Sequence, residues 1–169
     1  MNSTDRWPKG LLQATSEVFE PAALHFSSPV PEPESAQYGA YAFAVGGRAA
    51  QFRMAKTTPT KAGQFVTLWQ RSTEGPIRPF DTSDGVELFI VHVTNGEQRG
   101  QFVFPSDILA RRGVLSVAGK GGKRAIRVYA PWVATTSAQA VKSQEWQVEY
   151  FLEMGPTSDL ARIRALYGV

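Results

Sequence analysis

The residues best equipped for chemistry in this chain are cationic, and many fall in one stretch: Gln51-Phe52-Arg53-Met54-Ala55-Lys56-Thr57-Thr58-Pro59-Thr60-Lys61-Ala62-Gly63-Gln64-Phe65. A strand here delivers Arg53 and Lys56 to a loop of three threonines, a lysine and a glycine. Backbone N–H groups, hydroxyls and ammonium groups in such a loop are the components of a phosphate or carboxylate site. Lys56 and Lys61 are close enough in sequence to converge on one anion, and Gln64 and Arg71 extend the set. The GxxxxGK[ST] pattern of a P-loop is absent. A lysine-rich solvated loop is the plainer alternative, and both readings stand.

A second constellation runs Gly119-Lys120-Gly121-Gly122-Lys123-Arg124-Ala125-Ile126-Arg127-Val128-Tyr129-Ala130-Pro131-Trp132. Glycines and bases together predict a mobile cationic loop feeding a strand on which Arg127 and Tyr129 share a face. An aromatic ring and a guanidinium on one face can stack on bases while Lys123 and Arg124 neutralise phosphate. A flexible surface hairpin with Trp132 in a satellite core is the competing reading.

Acid–base and metal chemistry are thinly supplied. There is no cysteine, which removes disulfides, thiolate metal sites and cysteine nucleophiles. The two histidines, His25 and His92, stand in a proline-flanked connector and in an apolar strand, where each reads as structural. There is no GxSxG elbow. Glu32 and Glu34 precede the first strand, and Asp81, Asp84 and Glu87 precede the central one. Carboxylates at strand entrances can hold a divalent ion such as Mg²⁺ or act as bases, although loop acids are more often simply solvated.

Charge placement says more than the net charge of +3 from 18 Lys+Arg and 15 Asp+Glu. Ser35–Thr73 has no acid and five bases (Arg48, Arg53, Lys56, Lys61, Arg71). Ile108–Gln144 has no acid and seven bases (Arg111, Arg112, Lys120, Lys123, Arg124, Arg127, Lys142). These windows hold 12 of the 18 bases, so if they meet in the fold they form a cationic face attractive to polyanions.

The elements that must position these groups follow from hydrophobic periodicity. The 169 residues suit one domain, 1–169, of globular composition. Residues 6–20 predict an N-terminal helix started by Pro8, with Leu11, Leu12, Val18 and Phe19 as its apolar stripe. Residues 21–35 read as a proline-rich extended connector. Strands are predicted over 38–45 and 49–56 around a Gly46-Gly47 turn, then over 64–71, 86–94, 101–104 and 125–129. A short helix is predicted over 105–112, with Ser106 as cap and Gly113 as stop. Two helices close the chain at roughly 138–152 and 158–167, the second capped by Thr157 or Ser158. The sum is an α/β (α+β mixed) domain with a central mixed, mostly antiparallel sheet flanked by helices. No apolar run approaches the ~18 residues of a membrane span, and the first residues lack a signal-peptide pattern, so a soluble cytoplasmic protein without membrane contact is expected.

Glu32-Pro33-Glu34-Ser35, Tyr38, the run Phe52-Arg53-x-Ala55-Lys56-x-Thr58-Pro59-Thr60-Lys61-x-Gly63-Gln64-Phe65-Val66, and Trp69 with Arg71 together resemble the MepB-like family. So do Pro79-Phe80-Asp81, Gly100-Gln101-Phe102-Val103-Phe104-Pro105, Gly122-Lys123-Arg124-x-x-Arg127-Val128-Tyr129-x-Pro131-Trp132, and Gln144-x-Trp146-Gln147 with Tyr150-Phe151. The resemblance spans about residues 16–152 and leaves the C-terminal helix, 154–169, outside. It implies a bacterial protein, first-named relatives beside a multidrug efflux pump and its regulator, and a restriction-endonuclease-like fold. Nucleases of that fold use an acid and a [D/E]xK triplet to hold Mg²⁺ and orient water. Here none of the residues two before a lysine is acidic; the nearest substitute is Pro33-Glu34 followed by Gln51-x-Arg53.

The expectation is therefore a nucleic-acid or nucleotide-phosphate binding protein with a degenerate endonuclease-like site and no cofactor. Arg53, Lys56, Lys61, Gln64, Arg71, Lys123, Arg124 and Arg127 would meet phosphate, with Tyr129 or Trp132 stacking. One alternative is a metal-dependent phosphodiester or nucleotide hydrolase, with Glu34 and Asp81 or Asp84 holding Mg²⁺ and Lys56 steadying the phosphate. Another is a protein-interaction module linked to a multidrug-efflux operon. Two geometric expectations follow. The strand carrying Arg53 should end or bulge near Met54–Ala55, swinging Lys56 round, and Glu34 should lie within salt-bridge reach of Arg53 or Lys56.

Overall fold

The computed structural model describes residues 7–71, 75–156 and 158–169. Its centre is a six-stranded sheet ordered β1 (Val30–Pro31), β2 (Tyr41–Val45), β3 (Arg48–Met54), β8 (Leu88–Asn95), β9 (Gln98–Pro105) and β11 (Phe151–Glu153). Only β3 and β8 pair in parallel, so the sheet is mixed and mostly antiparallel. The central position of β8 follows from its composition. Leu88, Ile90 and His92 face one side and Phe89, Val91 and Val93 the other, and all six are buried. Each such apolar side chain stabilises the fold by about 1.5–3 kcal/mol when fully buried, so the strand needs cover on both faces.

On one face lie the helix α1 (Lys9–Ala14) and α4 (Leu160–Tyr167), with Leu11, Ala14, Val18, Phe19, Ile163 and Tyr167 fully buried. Pro8 begins α1 in extended conformation. The predicted N-terminal helix is not regular: after Ala14 it widens into a π-helical turn, Thr15–Phe19, closed by Glu20 N–H donating to the Thr15 carbonyl. The wider turn lets the consecutive Val18 and Phe19 both enter the core. Arg6, the first residue of the predicted helix, is outside the described residues. α4 is capped by Asp159, whose carboxylate accepts from Arg162 N–H, rather than by Ser158; Thr157 is outside the described residues.

On the other face lie a three-stranded antiparallel sheet and two helices. That sheet is ordered β10 (Ala125–Val128), β5 (Gln64–Thr67), β4 (Lys56–Thr57). The helices are α2 (Ser106–Arg111) and α3 (Ala138–Gln147), and a hairpin of β6 (Trp69–Arg71) and β7 (Ile77–Pro79) joins this layer.

Several predicted elements are divided differently. The connector 21–35 is not uniformly extended without partners, since β1 pairs with β2 and Phe26 bridges Val45. Tyr38 belongs to a 3₁₀ turn, not to β2. The strand predicted at 64–71 breaks at buried Leu68, whose N–H donates to the Arg124 carbonyl at the end of the β5–β10 ladder, and beyond it β6 pairs with β7 in a separate sheet. The helix predicted over 138–152 stops at Gln147, and Phe151–Glu153 instead forms the edge strand β11 against β9. Pro105, not Ser106, stands at the N-cap of α2.

Candidate functional site

The two acid-free windows meet. β5 comes from the first and β10 from the second, and they pair antiparallel with Arg127 opposite Phe65 and Ala125 opposite Thr67. The strand alternation sends Val66 and Val128 into the core and leaves Phe65, Ala125, Arg127 and Tyr129 facing a concave cavity of about 300 Å³. Lys61 and Lys123 line it from the flanking loops, Arg112 from the end of α2, and Gln139, Ser143 and Trp146 from α3. Its lining contains no acidic side chain. Among the described residues, none of Lys61, Arg112, Lys123 and Arg127 pairs with a carboxylate.

The chain builds this cavity through specific backbone contacts. Gln147 acts as a substitute strand on the outer edge of β10: its Oε1 accepts from Tyr129 N–H at 2.8 Å and its Nε2 donates to the Arg127 carbonyl at 3.0 Å. Gln144 donates to the carbonyls of Ala130 and Val133, both at 2.9 Å, fixing the turn after β10. Ser137 caps α3 by accepting from Ala140 N–H at 3.1 Å. The Arg127 guanidinium donates to the Ala62 carbonyl at 3.2 Å and lies 5.9 Å from the Phe65 ring centre, while Arg112 lies 5.3 Å from that of Trp146. Gly63, at φ +76°, brings the Lys61 loop so close to β10 that a Cβ would sit 2.6 Å from the Val128 carbonyl and 2.7 Å from the Tyr129 ring.

The glycine loop before β10 is tied down rather than mobile. Val117 and Lys120 exchange two backbone hydrogen bonds of 3.0 Å, Gly119 N–H donates to Asp81 Oδ1 at 2.9 Å, and Lys123 N–H donates to the Val114 carbonyl at 2.8 Å. Lys123 is thereby held at the cavity rim.

Other expected site residues lie elsewhere. Arg53 is 1% exposed, because β3 is covered on both faces. It donates to Gln51 Oε1 at 2.8 Å and to the Phe52 carbonyl, and sits 5.9 Å from the Phe80 ring centre. Burial lowers its pKa to about 10, against which the negative charge of Glu32 acts. It cannot contact phosphate in this fold. β3 does end at Met54, and Lys56 then starts β4 in the second sheet. There Lys56 lies 4.9 Å from the Tyr38 ring centre, outside the cavity lining, so Arg53 and Lys56 do not share a site. Gln64 points away to hold Thr57 Oγ1 and the Thr94 carbonyl, both at 2.9 Å. Arg124 is exposed on the approach to β10 and does not line the cavity. Trp132 packs edge-on against Phe151 at 5.5 Å, among the core residues.

The expected carboxylate site does not assemble. Glu34 pairs with Arg71, at 3.7 Å, and not with Arg53 or Lys56; the glutamate serving the buried centre is Glu32, which accepts from Gln51 Nε2 at 3.3 Å. Asp81 accepts from Ser83 N–H at 3.0 Å, the Ser83 and Ser116 hydroxyls at 2.6 Å each, and Gly119 N–H. These donors hold it well below the usual carboxylate range, the Ser116 hydrogen bond contributing most. Asp84 accepts from Asp81 N–H at 2.6 Å, from Gln70 Nε2 and from Arg78 at 3.3 Å, closing a capping box over Thr82–Asp84. Among the described residues no three of His, Asp and Glu gather as metal ligands. Two carboxylates already saturated by internal donors do not fit a divalent ion.

Of the expected contacts, the fold collects Lys61, Lys123, Arg127 and Tyr129. Sequence reasoning missed Arg112 and Trp146. The available signal was the i, i+4, i+7 spacing of Gln139, Ser143 and Trp146, which places them on one face of α3. The apolar residues Tyr150 and Phe151 are in core contact, with rings 6.0 Å from Phe104 and 5.1 Å from Phe102.

A protein-family model, MepB-like, matches residues 32–153, well over half of the chain. The chain belongs to the MepB-like family. The match begins later than the resemblance from residue 16 suggested, so the π-helical turn and most of the connector lie outside it, as α1 and α4 do, while the whole cavity lining lies inside. The crystal structure of MepB is similar at 29% identity, covering 90% of this chain and 97% of that one, with a TM-score of 0.75. The structure of a bacterial homing endonuclease, I-Ssp6803I, is similar at 12% identity over 89% of this chain and 94% of that one, with a TM-score of 0.49. No curated protein matches the chain. No helix of the described residues is long and apolar enough to cross a membrane.

Proposed function

We propose that this MepB-like protein binds nucleic acid or nucleotide phosphate through the face formed by β5, β10, α3 and the end of α2. One observation carries the reading: Lys61, Arg112, Lys123 and Arg127 line a single cavity with no acidic neighbour in its lining. Gathering unpaired cations around a concavity raises the local positive potential and costs stability through mutual repulsion, which an anionic ligand relieves. The four bases are presented by backbone anchored in strands, a helix end and hydrogen-bonded loops, so little ordering is left to be done on binding.

Fluorescence anisotropy of a labelled oligonucleotide, read across a salt series, tests this. Each phosphate contact contributes a slope of roughly −0.7 to −0.9 in log K against log salt. Three or four contacts should give a slope of about −2 to −4, and Lys61→Ala or Lys123→Ala should each reduce its magnitude by about one contact. Affinity that stays flat across the series overturns the reading.

A further inference from the structure

We infer that the ligand of this face is a single unpaired strand, with one base laid against Tyr129 and its neighbouring phosphates on Lys61 and Lys123; the inference rests on the phosphate-binding reading above. Three observations favour a strand over a duplex.

First, the cavity is a recess of about 300 Å³. That is at the small end of ligand pockets and admits one nucleotide unit, not the rounded flank of a double helix. Second, its floor is aromatic as well as cationic: the half-buried rings of Phe65, Tyr129 and Trp146 line the same space as the bases. A duplex offers base edges and phosphates to a protein, whereas an unpaired base offers a π-face that stacks on such rings.

Third, the three rings are not equivalent. The guanidiniums of Arg127 and Arg112 already lie over Phe65 and Trp146. Tyr129 has one side against Gly63. Among the described residues, neither another ring nor a cation lies on it, and its hydroxyl has no hydrogen-bond partner. Its backbone is nevertheless fixed by Gln147 at 2.8 Å. Tyr129 is thus a ring on a fixed backbone, carrying neither another ring nor a cation, in a cavity that Lys61 and Lys123 also line, as stacking on a base beside its phosphates requires.

The test compares four probes on the unaltered protein at one salt concentration: a labelled oligothymidylate, a hairpin duplex of equal phosphate number, an abasic strand of equal length, and thymidine monophosphate as competitor. The oligothymidylate should bind at least about tenfold tighter than the duplex and the abasic strand, and the mononucleotide should compete poorly. Tyr129→Ala should weaken the oligothymidylate by roughly five- to a hundredfold while leaving the abasic strand unchanged, and Tyr129→Phe should retain most of the affinity. Should Tyr129→Ala not fold, the four-probe comparison decides by itself. Duplex or abasic binding as tight as the oligothymidylate overturns this inference and leaves phosphate binding standing. Competition by the mononucleotide as effective as by the strand does likewise. Failure of all four probes to bind overturns both.

Discussion

Arg127 and Phe65 stand opposite one another across the β5–β10 ladder, the guanidinium carbon 5.9 Å from the ring centre. Through this pair the two acid-free segments become one surface. The same guanidinium donates to the carbonyl of Ala62, so it also holds the Lys61 loop against the strand.

Arg127→Ala is expected to act twice. Loss of the charged hydrogen bond should lower stability by about 1–2 kcal/mol. Freeing the Lys61 loop should lower oligonucleotide affinity by more than one phosphate contact accounts for. Urea denaturation checks the first effect, and comparison of the salt slope with that of Lys123→Ala checks the second. Arg127→Lys keeps the charge but not the fork, and should recover the slope more fully than the stability.

Gly63→Ala tests the close approach of the loop to β10. A Cβ there meets the Val128 carbonyl at 2.6 Å on a backbone of φ +76°. A left-handed alanine alone costs about 1–2 kcal/mol, and the contact with a backbone atom adds to it. A fall in stability of roughly 2–4 kcal/mol in thermal or urea melts is expected, whereas Gly47→Ala, with open space around its Cβ, should lose only the conformational part.

Arg53→Ala should destabilise without altering ligand contacts. It removes the donor to Gln51 and the cation that faces Glu32. Losing a hydrogen bond donated by a charged group typically costs about 1.5–3 kcal/mol, and two such bonds, to Gln51 and to the Phe52 carbonyl, are lost here. Under conditions where the variant remains folded, oligonucleotide affinity and salt slope should match those of the unaltered protein.

His92 makes stability depend on pH. It is 1% exposed, neither ring nitrogen has a hydrogen-bond partner, and Gly10 of α1 rides directly on the ring. Burial first, and the positive charge of Arg99 second, lower its pKa from 6.5 to about 4. The unfolded chain therefore takes up a proton before the folded one as pH falls. The contribution is complete above pH 6.5 and is lost progressively down to about pH 4, by roughly 3 kcal/mol in all. Urea midpoints at pH 7 and pH 4.5 should show the loss, and His92→Phe, which keeps a ring beneath Gly10, should reduce it.

What was legible in the sequence were the local and compositional features. The central place of β8 follows from its continuous apolar run, the Gly46-Gly47 turn from two residues that tolerate positive φ, and the end of α2 from Gly113. The family was legible because its residues are ordered along the chain. The absence of acids over two long windows marked the cationic segments before any fold was known.

What the tertiary structure alone decided was which of those cations face outward together. Residue type made Arg53 and Lys123 equivalent candidates, yet Arg53 falls on a strand covered on both faces and Lys123 on a tied rim. Glu32 and Glu34 are two residues apart and chemically alike, but one serves Gln51 and the other Arg71. The β5–β10 pairing joins residues some sixty positions apart, and the turn from α3 into β11 replaces predicted helix by strand. Local propensity is set by neighbours a few residues away. Pairing partners and burial depend on what long-range packing brings alongside, and a net gain from desolvation or ladder hydrogen bonds exists only once those partners are in place.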